Sequence, residues 1–150
     1  MNEALIAHAS IQIQKPAAVV FHAIVTGDKM CNYFIAAATG NLEAGKTVQW
    51  KFPEFPEQFP VTTTAIRGNE YISFDWTGGI PGMLVEIFLE SLSDGSTVVR
   101  ISEKQKNKDD AGIRWLMQQT EGWANFLASL KAWLEYDIHL RKGAFDFMAS

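Results

Sequence analysis

The stretch from Ile113 to Ile138 constrains the fold of this chain more than any other segment. One side chain every three or four residues falls on a single helical face, and the series is Ile113, Leu116, Thr120, Trp123, Leu127, Leu130 and Leu134. Polar residues such as Gln118 and Glu121 fall on the opposite side. This spacing predicts one long amphipathic helix. Because its apolar face is broad, we expect a sheet to cover it.

The segments before this helix alternate apolar and polar residues with a period of two, which is typical of half-buried strands. In residues 4–13 the inward positions are Leu5, Ala7, Ala9, Ile11 and Ile13. Further alternation surrounds Val48, Ile72, Val85 and Val99, and the pairs Gly68-Asn69 and Asp94-Gly95 indicate tight turns between neighbouring strands. Many antiparallel strands followed by one long helix make an α+β fold.

Two short helices are expected between the first strand and the rest of the sheet. Pro16 suits the first turn of a helix that Gly27 would end, and Asp28 suits the N-cap of a second helix reaching about Phe34. We expect a connection over residues 36–40. The charged stretch 104–110 is expected to be a solvated loop, with Asp109 and Asp110 favouring the start of the long helix.

Composition and charge argue against several classes of function. The chain of 150 residues fits one domain, 1–150, with a core large enough to fold without metal or disulfide. A net charge of −4 without a basic stripe argues against a nucleic-acid partner. No apolar run approaches the roughly 20 residues of a membrane span. The absence of a leader pattern in residues 1–10 and the lone Cys31 favour the cytoplasm.

Three segments in order carry a resemblance to a known family. They are Pro-x-x-Val-Val-Phe-x-Ala-Ile at 16–24, Gly-x-Leu-x-x-Gly at 40–45, and Gly-Trp-x-x-x-Leu-x-x-Leu-Lys-x-x-Leu-Glu at 122–135. With them the chain resembles the family related to the activator of heat-shock-protein-90 ATPase, within the START-like (SRPBCC) superfamily. The resemblance implies a helix-grip fold, in which a curved antiparallel sheet of about six or seven strands wraps the C-terminal helix and commonly encloses an apolar cavity.

The same resemblance implies three functions. The first is non-catalytic binding of a small hydrophobic or amphipathic ligand between sheet and helix, without a cofactor. The second is a co-chaperone in the stress response that interacts with a heat-shock ATPase. Because the first strand begins near Leu5, we expect no room for the separate N-terminal domain of the eukaryotic activators. The third is a cyclase- or lyase-type enzyme using the same cavity, for which Glu103 is the titratable candidate.

The expected ligand contacts lie on the inner face of the sheet and on the helix. They are Trp50, Phe52, Phe74, Trp76, Ile87, Glu103, Leu116, Thr120, Trp123 and Leu127. Glu103 shares strand parity with Val99 and Ile101, so it is expected at the cavity mouth, where it or Thr120 would anchor a ligand. Gly122 is expected to leave clearance beside Trp123, since glycine costs about 1 kcal/mol in a helix. Simple core packing of the aromatics remains the alternative.

Two loops are candidate entrances. Residues 52–60 and 78–82 are rich in proline or glycine and would present Phe55, Phe59 and Ile80 at a rim, or would be ordinary turns. The tail 141–150, with Phe145, Phe147 and Met148, has three alternatives: capping the cavity, forming a homodimer, or remaining mobile.

Other motifs favour no chemistry. Residues 40–47 match the phosphate-loop pattern, but an alternating strand follows where that motif needs a helix. His8, His22 and His139 lack metal-ligand spacing and are expected to be exposed. Cys31 lacks a visible activating partner, and Asp75 is expected to face solvent. We therefore predict no metal site and no catalytic residue.

Overall fold

Seven strands and one long helix dominate the computed structural model, which describes residues 4–149. The elements are β1 (Ala4–Ile13), α1 (Ala17–Val25), α2 (Gly27–Met30), β2 (Ala37–Ala38), β3 (Thr47–Lys51), β4 (Gln58–Arg67), β5 (Tyr71–Asp75), β6 (Leu84–Ser91), β7 (Thr97–Asn107), α3 (Asp110–Tyr136) and a 3-10 turn over Asp146–Met148. The strands form one antiparallel sheet in the order β1-β7-β6-β5-β4-β3-β2. This confirms the predicted α+β helix-grip fold with two short helices after the first strand.

The first and last strands lie side by side, so β1 and β7 together form the part of the sheet nearest the helix. Ala7 opposes Glu103 and Ile13 opposes Thr97 in this ladder, and all four side chains are buried. The alternation predicted for β1 is confirmed, with His8 and Gln12 exposed on the other face. The pairing fixes which residues of β7 face α3, because side chains alternate between the two faces of a strand.

The long helix begins with a side-chain cap and ends in a left-handed residue. Asp109 Oδ1 accepts a hydrogen bond from the Gly112 backbone N–H at 2.7 Å, as expected for an N-cap, and Asp137 at the C-terminus has φ 54°. The buried positions of the predicted face are Trp123, Leu127 and Leu130. Towards the N-terminus the face is open: Ile113 is 42% exposed, and Thr120 is also exposed. The expectation that a sheet covers the whole apolar face was therefore wrong for the first turns of α3.

Three local expectations are corrected. Helix α2 starts at Gly27, so Asp28 lies in its first turn rather than at the N-cap, and residues 31–34 form turns. Residues 36–40 contain the short strand β2. Strand β7 extends to Asn107, because Lys104 and Lys106 pair with Ile6 and Leu5 of β1. Backbone pairing along the β1–β7 ladder outweighs the polar composition that suggests a loop.

No helix within residues 4–149 combines the length and the apolar character that crossing a membrane requires.

Two glycines of α3 offer a matched test of the helix packing. An ideal Cβ on Gly112 would lie 1.9 Å from the Asn107 carbonyl oxygen, whereas one on Gly122 would meet nothing within 4 Å. We expect Gly112→Ala to lower the free energy of unfolding by about 3 kcal/mol, since the backbone must shift. Gly122→Ala should leave it unchanged or raise it by up to about 1 kcal/mol. Urea denaturation of both variants checks this, and equal effects would contradict the helix register.

Candidate ligand-binding groove

A cavity of about 570 Å³ runs along the middle of α3, from Gln118 to Phe126. The β3–β4 loop and the C-terminal tail form its other sides. We call it the groove, and its lining consists of Phe34, Phe52, Glu54, Phe55, Trp76, Gln118, Gln119, Glu121, Gly122, Trp123, Asn125, Phe126, Arg141, Phe145, Phe147 and Met148. Its volume lies within the range of small-molecule sites, and a mostly apolar lining with a few polar groups is typical of them.

Aromatic rings in mutual contact form the floor of the groove. The indoles of Trp76 and Trp123 stack with centroids 5.0 Å apart, and Phe34 meets Phe126 edge to face at 4.7 Å. Phe52 contacts Phe34 at 5.2 Å from the other side. Such pairs are stabilising beyond their buried area and hold one another in fixed orientations. The floor is therefore a rigid apolar surface.

Beneath this floor lies the buried carboxylate of Glu103, which is 1% exposed. Its Oε2 accepts a hydrogen bond from Trp76 Nε1 at 2.9 Å. Its Oε1 accepts two more, from Trp123 Nε1 at 2.9 Å and from Gln119 Nε2 at 2.7 Å. Three converging donors match an ionised carboxylate, which only accepts hydrogen bonds. The network joins β7, the end of β5 and α3 at a single side chain.

The C-terminal tail is held against the groove by an ion pair. Arg141 Nη1 and Nη2 donate to the two carboxylate oxygens of Glu54 at 3.0 and 2.7 Å, and both side chains are largely buried. The guanidinium also lies 5.1 Å from the Phe52 ring centroid and 5.0 Å from that of Phe145. Bidentate geometry and stacking are what arginine supplies at such sites. In this structure Arg141, Phe145, Phe147 and Met148 of the tail line the cavity.

The predicted contact residues separate into four groups. Phe52, Trp76 and Trp123 line the groove. The side chains of Trp50, Phe74, Ile87 and Leu127 are buried in the core, and the Trp50 indole N–H has no hydrogen-bond partner among residues 4–149. Glu103 lies beneath the floor, not at the mouth. Leu116 is half-buried and Thr120 exposed outside the lining, where the Thr120 hydroxyl donates to the Leu116 carbonyl.

Most of the remaining lining residues were missed by sequence reasoning. Gln118, Glu121 and Asn125 lie on the polar side of α3, which was expected to face solvent only. Arg141 gave no signal in the sequence, because its partner Glu54 is 87 residues away. Gly122 was the useful hint: it lines the groove, and the space around it is open. A glycine in the middle of a helix was the signal that helped to find this surface.

Only one of the two candidate entrance loops borders the groove. In the loop after β3, Glu54 and Phe55 belong to the lining. Phe59 lies in β4, not in the loop, and stacks on Phe52 with ring centroids 5.2 Å apart. Ile80, in the other loop, is 49% exposed and lies outside the lining. That second loop is instead organised by Asp75, whose carboxylate accepts hydrogen bonds from the backbone N–H groups of Thr77 and Gly79.

Asp75 is half-buried rather than fully solvated. Partial burial opposes its ionisation, but the hydrogen bonds from Thr77 and Gly79 outweigh that effect and lower the pKa of the carboxyl. It therefore serves as a turn-forming anion.

The other chemical candidates lie apart from the groove. His8, His22 and His139 are exposed, as predicted. Partial burial, followed by the nearby charge of Asp28, raises the pKa of the Cys31 thiol and so disfavours a nucleophilic thiolate. Within the part of the chain that the structure describes, no three His, Cys, Asp or Glu side chains gather in a way that could hold a metal. Residues 40–47 lead into β3, without the helix that a phosphate loop requires.

Comparison with known proteins agrees with this architecture. Residues 14–135 match the family described as Activator of Hsp90 ATPase homolog 1-like protein. The chain belongs to this family. No curated protein gives a significant match.

Several solved structures share the fold of this chain. A crystal structure from Staphylococcus saprophyticus is 26% identical with a TM-score of 0.80, covering 91% of this chain and 96% of that one. The Aha1 dimer of Colwellia psychrerythraea is 21% identical with a TM-score of 0.75, covering 88% and 97%. DynU16, from the dynemicin biosynthetic locus, is 15% identical with a TM-score of 0.77 over 89% of this chain, which spans about half of that protein.

The Glu103 network predicts a large effect from a nearly isosteric change. In Glu103→Gln the new amide loses the charge and brings its own N–H₂ group among three donors. We expect the free energy of unfolding to fall by about 3 kcal/mol, because buried donors lose a charged acceptor. Urea denaturation measures this. Glu57→Gln, at an exposed position of the β3–β4 loop, is the matched control and should change it little. Equal effects would mean that the network is not stabilising.

Proposed function

We propose that this protein binds a small hydrophobic or amphipathic ligand in the groove without transforming it. The observation that carries the proposal is the aromatic floor along an open cavity of about 570 Å³, beside a glycine that leaves space. A ligand that buries about 200 Å² of apolar surface there gains about 5 kcal/mol before association costs. Those costs require polar contacts for tight binding, and Gln118, Glu121 and Asn125 of α3 are placed to supply them.

The proposal moves the ligand outward from the position expected from the sequence. Trp50, Phe74 and Leu127 are each 1% exposed and pack among other core residues, so they support the floor rather than touch a ligand. Phe52, Trp76 and Trp123 remain as proposed contacts, and Thr120 is replaced by the polar residues of the groove.

The position of Glu103 favours binding over the cyclase or lyase alternative. A general acid or base must come within hydrogen-bond reach of its substrate, directly or through one water. Both oxygens of Glu103 are engaged by Trp76, Trp123 and Gln119, which lie between it and the groove. The Glu103 carboxylate is thus better suited to orienting the indoles of the floor than to acting on a ligand.

Binding can be tested with N-phenyl-1-naphthylamine, a neutral dye that becomes fluorescent in apolar surroundings. We expect saturable binding by the natural sequence. In Gly122→Leu the added side chain enters the groove, and the dissociation constant should rise about tenfold, the size of a modest packing conflict. Ala124→Leu places the same leucine side chain at an exposed position of α3 outside the lining and should leave binding unchanged.

Loss of dye binding to the same extent in both variants, or in neither, would overturn the assignment of the groove. Native mass spectrometry of the protein purified from cells complements the titration. A retained small molecule, released in Gly122→Leu, would identify the natural ligand.

The family match favours one second candidate, a co-chaperone of a heat-shock ATPase. An activator must bind the chaperone and stimulate its turnover, so adding this protein to purified Hsp90 should raise the rate of ATP hydrolysis. A coupled phosphate-release assay measures the rate, with heat-denatured protein as the control. An unchanged rate across a range of protein concentrations would remove this candidate.

A further inference from the structure

Most hydrogen-bond donors in the lining of the groove already donate to carboxylates of the protein itself. Trp76 and Trp123 direct their indole N–H groups to Glu103, and the amide nitrogen of Gln119 does the same. Arg141 uses both terminal nitrogens on Glu54. A ligand that needs donors from these four side chains would have to break buried charge-assisted hydrogen bonds, which are the stronger kind.

The acceptors of the groove, in contrast, are available. Since the Gln119 nitrogen faces Glu103, the carbonyl oxygen is the polar atom that this side chain can offer to a ligand. Glu121 adds an exposed carboxylate. The side-chain amides of Gln118 and Asn125 present both donors and acceptors, so they favour neither kind of ligand.

The charged side chains of the lining also disfavour an anionic ligand. Glu54 and Glu121 carry two negative charges and Arg141 carries one positive charge, so the groove has a net negative charge. The single guanidinium is paired in a buried bidentate contact and is not free to hold an anion. The aromatic floor adds an attraction for cations, because ring faces carry negative quadrupole charge.

We propose that the groove selects flat aromatic ligands bearing a hydrogen-bond donor with positive charge, such as aryl-alkyl ammonium compounds, and discriminates against carboxylates. The proposal rests on the groove being the ligand site and adds the chemical class of what it takes. Stacking on the Trp76 and Phe52 side of the floor positions the aromatic body, and the Glu121 carboxylate receives the ammonium group.

Three probes with one skeleton test this selectivity: 2-naphthylmethylammonium, 2-naphthylmethanol and 2-naphthoate. Their dissociation constants are measured at pH 7 by titration of ¹⁵N-labelled protein, following backbone amide resonances by NMR. We expect the ammonium compound to bind tightest and the carboxylate weakest, with about a tenfold ratio between them, since each exposed charge contact contributes a factor of about two to five.

The variants separate a local effect from one of overall charge. Glu121→Gln should reduce the ratio of ammonium to carboxylate binding by about threefold. Glu57→Gln removes the same charge from an exposed position outside the groove and should leave the ratio unchanged. For the unsubstituted protein, the ratio of ammonium to carboxylate binding should be smaller when both titrations are repeated at 0.5 M salt, because salt screens exposed charges.

The outcomes distinguish this inference from the proposed function beneath it. If the three probes bind equally, or the carboxylate binds best, while Gly122→Leu weakens all of them, the groove is the ligand site and the selectivity is overturned. Equal loss of the ratio in Glu121→Gln and Glu57→Gln also overturns it. If no probe binds, or Gly122→Leu affects none of them, both the selectivity and the binding site fall.

Discussion

The convergence of three neutral donors on the carboxylate of Glu103 is the interaction on which the rest of this structure depends. A buried carboxylate is tolerated only when hydrogen bonds replace its hydration. Here they come from Trp76 after β5 and from Gln119 and Trp123 on α3. Because each donor must reach the same group, the helix is fixed in rotation and height against the sheet. The indoles are fixed at the same time, with their faces stacked.

The location of the groove follows from this arrangement. With Trp76 and Trp123 stacked above Glu103, and with Trp50 and Phe74 packed beside them, large side chains fill the region between sheet and helix that the sequence suggested for a ligand. The open space lies on the outer side of this aromatic layer, along the middle turns of α3. The aromatic side chains therefore pack the core on one side of this layer and line the open cavity on its other side.

The tail completes the groove from outside the sheet. The Glu54–Arg141 pair connects the loop after β3 to residues beyond the last helix, and it carries Phe145 to the side of the cavity. A buried ion pair of this kind is weak evidence for added stability, since desolvation opposes the attraction. Its geometric role is clearer: it sets where the tail lies and neutralises the guanidinium of the groove. The position of the tail and the charge selectivity that we propose for the groove therefore both depend on the Glu54–Arg141 pair.

The sequence by itself determined the α+β architecture, the inward face of β1 and the long helix with acidic residues at its start, because these depend on short-range periodicity and local backbone chemistry. It also singled out Glu103 by strand parity and Gly122 by its cost in a helix. Only the tertiary structure decided that Glu103 is enclosed by donors, that Trp50, Phe74, Ile87 and Leu127 are core, and that Arg141 faces Glu54. Those facts depend on the distance at which α3 crosses the sheet and on contacts between residues far apart in the chain, and neither is encoded in a period of two or 3.6 residues.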